Sequence, residues 1–131
     1  MHVAAVAGWS RSGKTTLIAE LIRRLVARGE RVGAIKHTHH PLVDENRGDT
    51  ATFLAAGAIP AILAGDGEAI VFTGTSSHRV SYQSPDELPA LCGEVDVVLV
   101  EGFKAFDGWA RFDALRDVEE VLANLDRIRR P

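Results

Sequence analysis

The segment that most constrains the fold is residues 8–16, which read G-W-S-R-S-G-K-T-T. They match the phosphate-loop (P-loop) pattern G-x-x-x-x-G-K-[ST] at every fixed position. A short apolar run at residues 3–7 precedes the loop, and apolar residues recur at helical spacing from Leu17 to Val26 after it. The loop therefore connects a predicted strand to a predicted helix, which is the context that the motif requires. This arrangement predicts an α/β protein with a phosphate site at its first strand–helix turn.

Each residue type in the loop suits phosphate binding. Gly8 and Gly13 allow backbone N–H groups to converge on phosphate oxygens, and the helix start adds the positive end of its dipole. Lys14 is expected to reach the β- and γ-phosphates, and Thr15 to offer its hydroxyl to Mg²⁺. The loop residues whose side chains we expect to add contacts are Arg11 and Ser12. The alternative is a chance match, a glycine-rich turn followed by a lysine.

Strand and helix patterns alternate along the rest of the chain. Predicted strands span residues 3–7, 31–36, 59–64, 69–73, 79–83 and 96–100, and predicted helices span residues 17–28, 49–56, 84–92 and 117–128. Alternation at both ends of the chain implies parallel crossovers and a single three-layer P-loop NTPase domain over residues 1–131. The G-D-G and G-T-S-S turns between the middle strands predict a small antiparallel extension at one edge of a mostly parallel sheet. Ligands of such sheets bind at the carboxyl ends of the strands.

Composition excludes several other classes of protein. The 131 residues are 46% hydrophobic and 25% charged, which is typical of a globular chain rather than a disordered one. The net charge of −3 provides no broad basic surface, so nucleic acid is not an expected partner. The one cysteine excludes an intrachain disulfide framework. No apolar run reaches the roughly 18 residues of a membrane span, and we therefore expect a cytoplasmic protein with no membrane partner.

The most apolar predicted strand lies within residues 96–102, D-V-V-L-V-E-G, and ends in the carboxylate of Glu101. This is the layout of a Walker B element, with Glu in place of the usual Asp. A bare carboxylate about 4 Å from a phosphate charge is repelled by about 4 kcal/mol at an effective dielectric of about 20. A metal or ordered water is needed between them, so the sequence predicts Mg²⁺ bound by Thr15 and Glu101. The alternative is a solvated acid at the end of a strand.

A histidine-rich segment, K-H-T-H-H at residues 36–40, follows the second predicted strand. Alternation in an extended segment directs His37 and His39 to one side and His40 to the other. No second cluster of Cys or His completes a tetrahedral zinc site, so we favour a segment that contacts a nucleotide or a partner, with surface histidines as the alternative. Asp49, farther along, is either an acid that faces the ligand or a helix cap, and both interpretations stay open.

Four segments together resemble one known family. They are the loop G-W-S-R-S-G-K-T-T-L, the stretch G-A-I-K-H-T-H-H, the segment G-D-T-A-T-F-L-A-A-G-A and the strand D-V-V-L-V-E-G-F-K, in that order. The combination resembles the molybdopterin-guanine dinucleotide biosynthesis protein B (MobB) family, and the likeness covers most of residues 3–104. A P-loop alone identifies only a superfamily, whereas K-H-T-H-H with V-E-G-F-K is far more specific.

The resemblance implies a GTP-binding accessory protein of molybdenum cofactor biosynthesis with GTP and Mg²⁺ as cofactors. Such a protein is usually a homodimer and assists a MobA-like molybdopterin guanylyltransferase, which attaches GMP to molybdopterin. Hydrolysis in such proteins is weak at most, and Lys14 and Glu101 would carry it. By position, the contacts with phosphate and Mg²⁺ fall on Gly8, Ser10, Gly13, Lys14, Thr15 and Thr16. The resemblance also places the family's histidine-segment residues on Lys36 and His37, its acid before the second helix on Asp49 and its strand-end acid on Glu101.

The chain departs from the family pattern in its C-terminal part. Only residues 103–116 separate V-E-G from the last predicted helix, whereas the family has a longer segment with a further strand and a loop that contacts the base. Guanine selectivity is the inference that this shortening affects most. The alternative functions are a small-molecule kinase that uses ATP and a structural protein whose P-loop binds only phosphate. The apolar stretch at residues 69–83 also predicts a sheet edge that favours self-association.

Overall fold

The computed structural model describes residues 1–8, 13–44, 48–113 and 117–129. Its strands are β1 (His2–Ala7), β2 (Val32–His37), β3 (Ala61–Ala64), β4 (Glu68–Phe72), β5 (Ser77–Ser81), β6 (Val97–Glu101) and β7 (Ala110–Asp113). Its α-helices are α1 (Lys14–Ala27), α2 (Asp49–Ala56) and α3 (Val118–Arg129). Within these ranges, no helix is both long enough and apolar enough to cross a membrane.

All seven strands form one sheet in the order β5-β4-β3-β2-β6-β1-β7. The adjacent strands β3, β2, β6, β1 and β7 pair in parallel, in that order. In contrast, β4 is antiparallel to both β3 and β5. The connections through α1 and α2 both advance in one direction across the sheet, and right-handed crossovers therefore place both helices on the same face. The mostly parallel α/β sheet with an antiparallel edge extension confirms the predicted fold class.

The core has two parts, one on each face of the sheet. The described α-helices pack on one face, where Leu21, Ile22 and Leu25 of α1 lie against β6. Leu88 and Cys92 help to cover the opposite face. Every residue of β6 is buried, which explains why the strand reads V-V-L-V without polar alternation. Pairing with β1 on one side and β2 on the other fixes the position of its carboxyl end, Glu101, in the sheet.

The predicted helix at residues 84–92 is wrong in type. The capping box of Ser84 and Glu87 forms as expected, but the chain makes two short 3₁₀ helices, Pro85–Glu87 and Pro89–Cys92. Pro89 explains the difference, because it has no backbone N–H to donate to the carbonyl one α-helical turn earlier. The face of the sheet opposite the α-helices is therefore covered by 3₁₀ turns in this segment.

The segment at residues 103–116 contains a strand that the sequence analysis did not predict. β7 pairs in parallel with β1, with Ala4 opposite Ala110 and Ala7 opposite Asp113. Its sequence, A-R-F-D, has no apolar run, and its side chains are exposed or half-buried because it is the edge strand. The short segment therefore forms an edge strand, although the sequence analysis listed no strand there.

Candidate phosphate-binding site

The site lies where the carboxyl ends of β1, β6 and β2 meet the start of α1. In the sheet register, Glu101 of β6 is opposite Val6 of β1 on one side and Lys36 of β2 on the other. Parallel pairing therefore brings the end of the first strand, the strand-end acid and Lys36 to a single edge. Gly13 precedes α1 with a φ of 91°, a left-handed conformation that favours glycine and turns the chain into the helix.

The side chain of Lys14, the first residue of α1, reaches back to the residue that follows β1. Its Nζ donates a hydrogen bond to the carbonyl of Gly8 at 3.1 Å. Burial lowers the pKa of Lys14, and the nearby carboxylate of Glu101 partly opposes that shift. The ammonium is thus partly desolvated beside Gly8. Its attraction to an anionic ligand at this position would be stronger than in water.

Glu101 is the buried acid of the site, with only 1% of its surface exposed. The Thr15 hydroxyl donates a hydrogen bond to Glu101 Oε1 at 2.7 Å, and the Lys36 ammonium contacts Oε2. A buried carboxylate is tolerated when such partners compensate its charge. The alternative of a solvated acid is therefore wrong.

Lys36 links two acids that are distant in the sequence. Its Nζ lies 2.9 Å from Asp49 Oδ2 in addition to its contact with Glu101. Burial acts to lower the pKa of Lys36, but the hydrogen bonds to Glu101 and Asp49 outweigh burial and raise it. Asp49 is the first residue of α2, and the helix cap is Gly48, which has no side chain. The interpretation of Asp49 as a helix cap is thus wrong, and Asp49 faces the site.

The fit of this site to Mg²⁺ can be judged from its donor atoms. Mg²⁺ prefers oxygen ligands in near-octahedral geometry, usually one or two carboxylates together with hydroxyl, phosphate or water oxygens. Thr15 and Glu101 supply a hydroxyl and a carboxylate whose oxygens are 2.7 Å apart. These donors fit the ion, although Lys36 occupies the second carboxylate oxygen.

The structure gathers most of the predicted site residues around one cavity of about 460 Å³. Its lining residues are Gly13, Lys14, Thr15, Thr16, Lys36, Asp49 and Glu101. The predicted residues Ser10, Arg11 and Ser12 lie outside the described residues. Gly8 lies at the loop start and accepts the hydrogen bond from Lys14. A larger cavity of about 680 Å³ adjoins the site and shares Lys14, Lys36 and Glu101 with it.

His37 is placed apart from the other predicted site residues. It follows Lys36 in the same strand, so its side chain points to the opposite face of the sheet. There its ring stacks on Phe103, with the ring centroids 4.1 Å apart and the planes 7° from parallel. Gly102 permits this packing, because a Cβ at that position would lie 2.7 Å from the Cβ of His37. The role of His37 as a nucleotide contact stays a prediction.

Sequence reasoning missed Arg111, a residue that shapes the loop after β6. Its guanidinium donates hydrogen bonds to the carbonyls of Phe103 at 3.1 Å and Phe106 at 2.8 Å. Phe103 has a φ of 53°, an uncommon conformation for a residue other than glycine, and these bonds hold the loop in place. The sequence did not point to Arg111, because this residue lies on β7, a strand that the sequence analysis did not predict.

Comparison with known proteins identifies the family. Residues 3–123 match the family described as molybdopterin guanine dinucleotide synthesis protein B, MobB. The chain belongs to the MobB family. The resemblance seen in the sequence is thereby confirmed, and the match extends beyond residue 104 to include β7 and part of α3.

Individual MobB-family relatives agree with this assignment. Two are molybdopterin-guanine dinucleotide biosynthesis adapter proteins, from Escherichia coli K12 and Haemophilus influenzae, each 41% identical over 101 residues and 76% of this chain. These matches cover 58% and 55% of the two relatives, so the chain spans less than two thirds of their length. A solved structure of a MobB homologue from Bacillus stearothermophilus is 28% identical, with a TM-score of 0.52 over 96% of this chain and 71% of that one.

Proposed function

We propose that this protein is a GTP-binding adapter that assists the conversion of molybdopterin to molybdopterin guanine dinucleotide in the cytoplasm. Family membership and the names of its relatives as biosynthesis adapter proteins support the pathway. The preassembled pair of Lys14 beside the P-loop and Thr15 on Glu101 supports nucleotide binding, and it is the observation that carries the proposal. The partner is a MobA-like molybdopterin guanylyltransferase.

In this proposal the P-loop and the start of α1 bind the phosphates. Lys14 moves its ammonium from the Gly8 carbonyl to phosphate oxygens, which are stronger acceptors because they are charged. Lys36 and Asp49 line the site as an ion pair, so their opposite charges compensate each other. The residues proposed to contact the nucleotide are Gly8, Ser10, Arg11, Ser12, Gly13, Lys14, Thr15, Thr16, Lys36 and Asp49.

Thr15 and Glu101 are the proposed Mg²⁺ ligands. Mg²⁺ held by these residues would neutralise charge on the phosphates. Glu101 would hold the ion through its carboxylate, in which Thr15 contacts Oε1 and Lys36 contacts Oε2. Thr15 already orients its oxygen toward Glu101 and needs little rearrangement.

The same contacts favour binding over rapid hydrolysis. A general base must lie within hydrogen-bond reach of the water that it activates, yet Lys36 already contacts an oxygen of both Glu101 and Asp49. Carboxylate oxygens that are already engaged by Lys36 are not free to accept a proton from water. Slow or absent turnover is consistent with an adapter, whose role requires a bound nucleotide rather than its consumption.

Nucleotide titration tests this proposal. We expect GTP to bind at least about tenfold more tightly than ATP, and removal of Mg²⁺ by EDTA to weaken GTP binding, because charge at the phosphates is then uncompensated. Isothermal titration calorimetry with each nucleotide, with and without Mg²⁺, measures both effects. A tenfold preference for ATP, together with phosphoryl transfer from γ-labelled ATP into a metabolite pool, would support the kinase alternative instead.

The adapter role predicts two associations. We expect the protein to co-purify with a molybdopterin guanylyltransferase when GTP is present, and to form a homodimer because the exposed edge strand β5 can pair with a second copy. Pull-down from cells and light scattering at tens of micromolar measure these associations. A protein that is monomeric and never retains the guanylyltransferase would contradict them.

A further inference from the structure

Three possible metal ligands meet at the end of β2, outside the phosphate site. Among the described residues, His37, His39 and Asp66 form a group in which one ligand atom from each lies within 4.8 Å of the others. His37 Nε2 is 3.1 Å from Asp66 Oδ1, and the His37 and His39 ring centroids are 4.7 Å apart. The sequence analysis found both histidines but did not find the third ligand.

The topology of the sheet explains why Asp66 completes the group. β2 and β3 are parallel neighbours, with His37 opposite Ala64, and the Thr38 N–H donates to the Ala64 carbonyl at 2.8 Å. The G-D-G turn follows β3 directly, and the Gly65 N–H donates to the Glu68 carbonyl at 2.8 Å to close it. Asp66, at the tip of this turn, therefore lies beside the segment that leaves β2.

His37 is held in position, whereas the other two ligands are accessible. The His37 side chain is only 12% exposed, and stacking on Phe103 fixes the plane of its ring. The Asp66 side chain is 82% exposed, and His39 is exposed. One fixed imidazole with two adjustable ligands lowers the cost of assembling a site, because little backbone movement is required.

We propose that His37, His39 and Asp66 bind a divalent transition-metal ion of the zinc class. Tetrahedral Zn²⁺ with ligand distances of about 2.0–2.1 Å places neighbouring ligand atoms about 3.3 Å apart. The nitrogen of His37 and the oxygen of Asp66 already meet this spacing, and a nitrogen of the exposed His39 lies within 4.8 Å of both and would move closer on binding. His37 then carries its proton on Nδ1 and coordinates the ion through Nε2.

The ligand set separates this ion from Mg²⁺. Two imidazoles and one carboxylate suit zinc and related ions, whereas Mg²⁺ selects oxygen donors. The fourth position is left to solvent or to a ligand in the cavity of about 680 Å³, which His37 and His39 also line. This cavity also reaches Lys14, Lys36 and Glu101 of the phosphate site, so the metal site is tested on protein without nucleotide.

Metal titration of the nucleotide-free 131-residue chain in excess Mg²⁺ tests this proposal. We expect one Zn²⁺ per chain, and Co²⁺ in its place should give the visible absorption of a tetrahedral complex. His39→Ala and Asp66→Asn should each weaken Zn²⁺ binding by at least about tenfold, because each removes one ligand. Both residues are exposed, so neither change should impair folding, which circular dichroism checks.

Two other histidines supply matched controls. His40 is adjacent to the cluster but outside it, and His78 is an exposed histidine on β5. His40→Ala and His78→Ala should leave Zn²⁺ affinity within about twofold of the original protein. The proposal is overturned if Zn²⁺ does not bind at a saturable single site, or if these controls weaken binding as much as His39→Ala does, since binding would then be adventitious.

Discussion

Lys14→Ala is expected to abolish most nucleotide affinity. Hydrogen bonds to charged groups contribute about 1.5–3 kcal/mol each, and Lys14 is positioned to contact two phosphates. Losing about 3 kcal/mol corresponds to roughly a hundredfold increase in Kd, because each 1.4 kcal/mol is about tenfold. Calorimetric titration with Mg²⁺ and GTP measures this change. The free energy of unfolding should change little, because the hydrogen bond that is lost, from Lys14 to the Gly8 carbonyl, is only partly buried.

Arg23→Ala provides the matched control for this substitution. Arg23 lies on the exposed side of the same helix, where it pairs with Glu20 at 3.1 Å. Exposed pairs of this type contribute about 0–1 kcal/mol, so the control should retain both nucleotide affinity and stability. If Lys14→Ala bound GTP as tightly as the original protein, the nucleotide would not occupy the P-loop, and the proposed function would lose its main support.

Lys36→Met is expected to destabilise the folded protein by about 3 kcal/mol. The substitution leaves Glu101 buried at 1% exposure without the cation that compensates its charge. Removing one partner of a buried ion pair costs about 3–5 kcal/mol, and the lower end applies here because Thr15 still donates to the carboxylate and the Lys36 side chain is 25% exposed. Urea unfolding with linear extrapolation measures the loss.

Two comparisons establish the cause of this loss. Arg31→Met removes an exposed cation that lies 3.8 Å from Asp96, near the opposite end of β2 and β6, and it should cost less than about 1 kcal/mol. Adding Glu101→Gln to Lys36→Met should restore much of the stability, because the uncompensated charge is removed. If the double variant were no more stable than Lys36→Met, lost packing of the lysine chain would be the cause instead.

Local sequence was sufficient for those parts of the site that come from single segments. The P-loop pattern placed Gly13, Lys14 and Thr15 at a strand–helix turn because glycine spacing and helical periodicity are properties of consecutive residues. The unbroken apolar run before Glu101 identified a central buried strand, since a strand covered on both faces needs no polar alternation. The structure agrees on both points.

The sequence analysis failed where an element depends on its neighbours. β7 has no apolar run, and it exists because β1 offers a free parallel edge beside it. The predicted helix at residues 84–92 failed at Pro89, where a strong capping signal competed with a missing N–H. Asp66 was interpreted only as a turn residue, because its approach to His37 depends on the register between β2 and β3.

The sequence alone therefore determined the α/β class, the strand–helix turn at which we propose that phosphates bind, and the strand ends at which polar residues collect. Only the tertiary structure decided which of those residues meet. Parallel pairing brought Lys36 to Glu101 and placed His37 on the other face beside Phe103 and Asp66. The physical reason is that alternation along a strand assigns each side chain to a face, whereas sheet register and packing decide which neighbours it meets there.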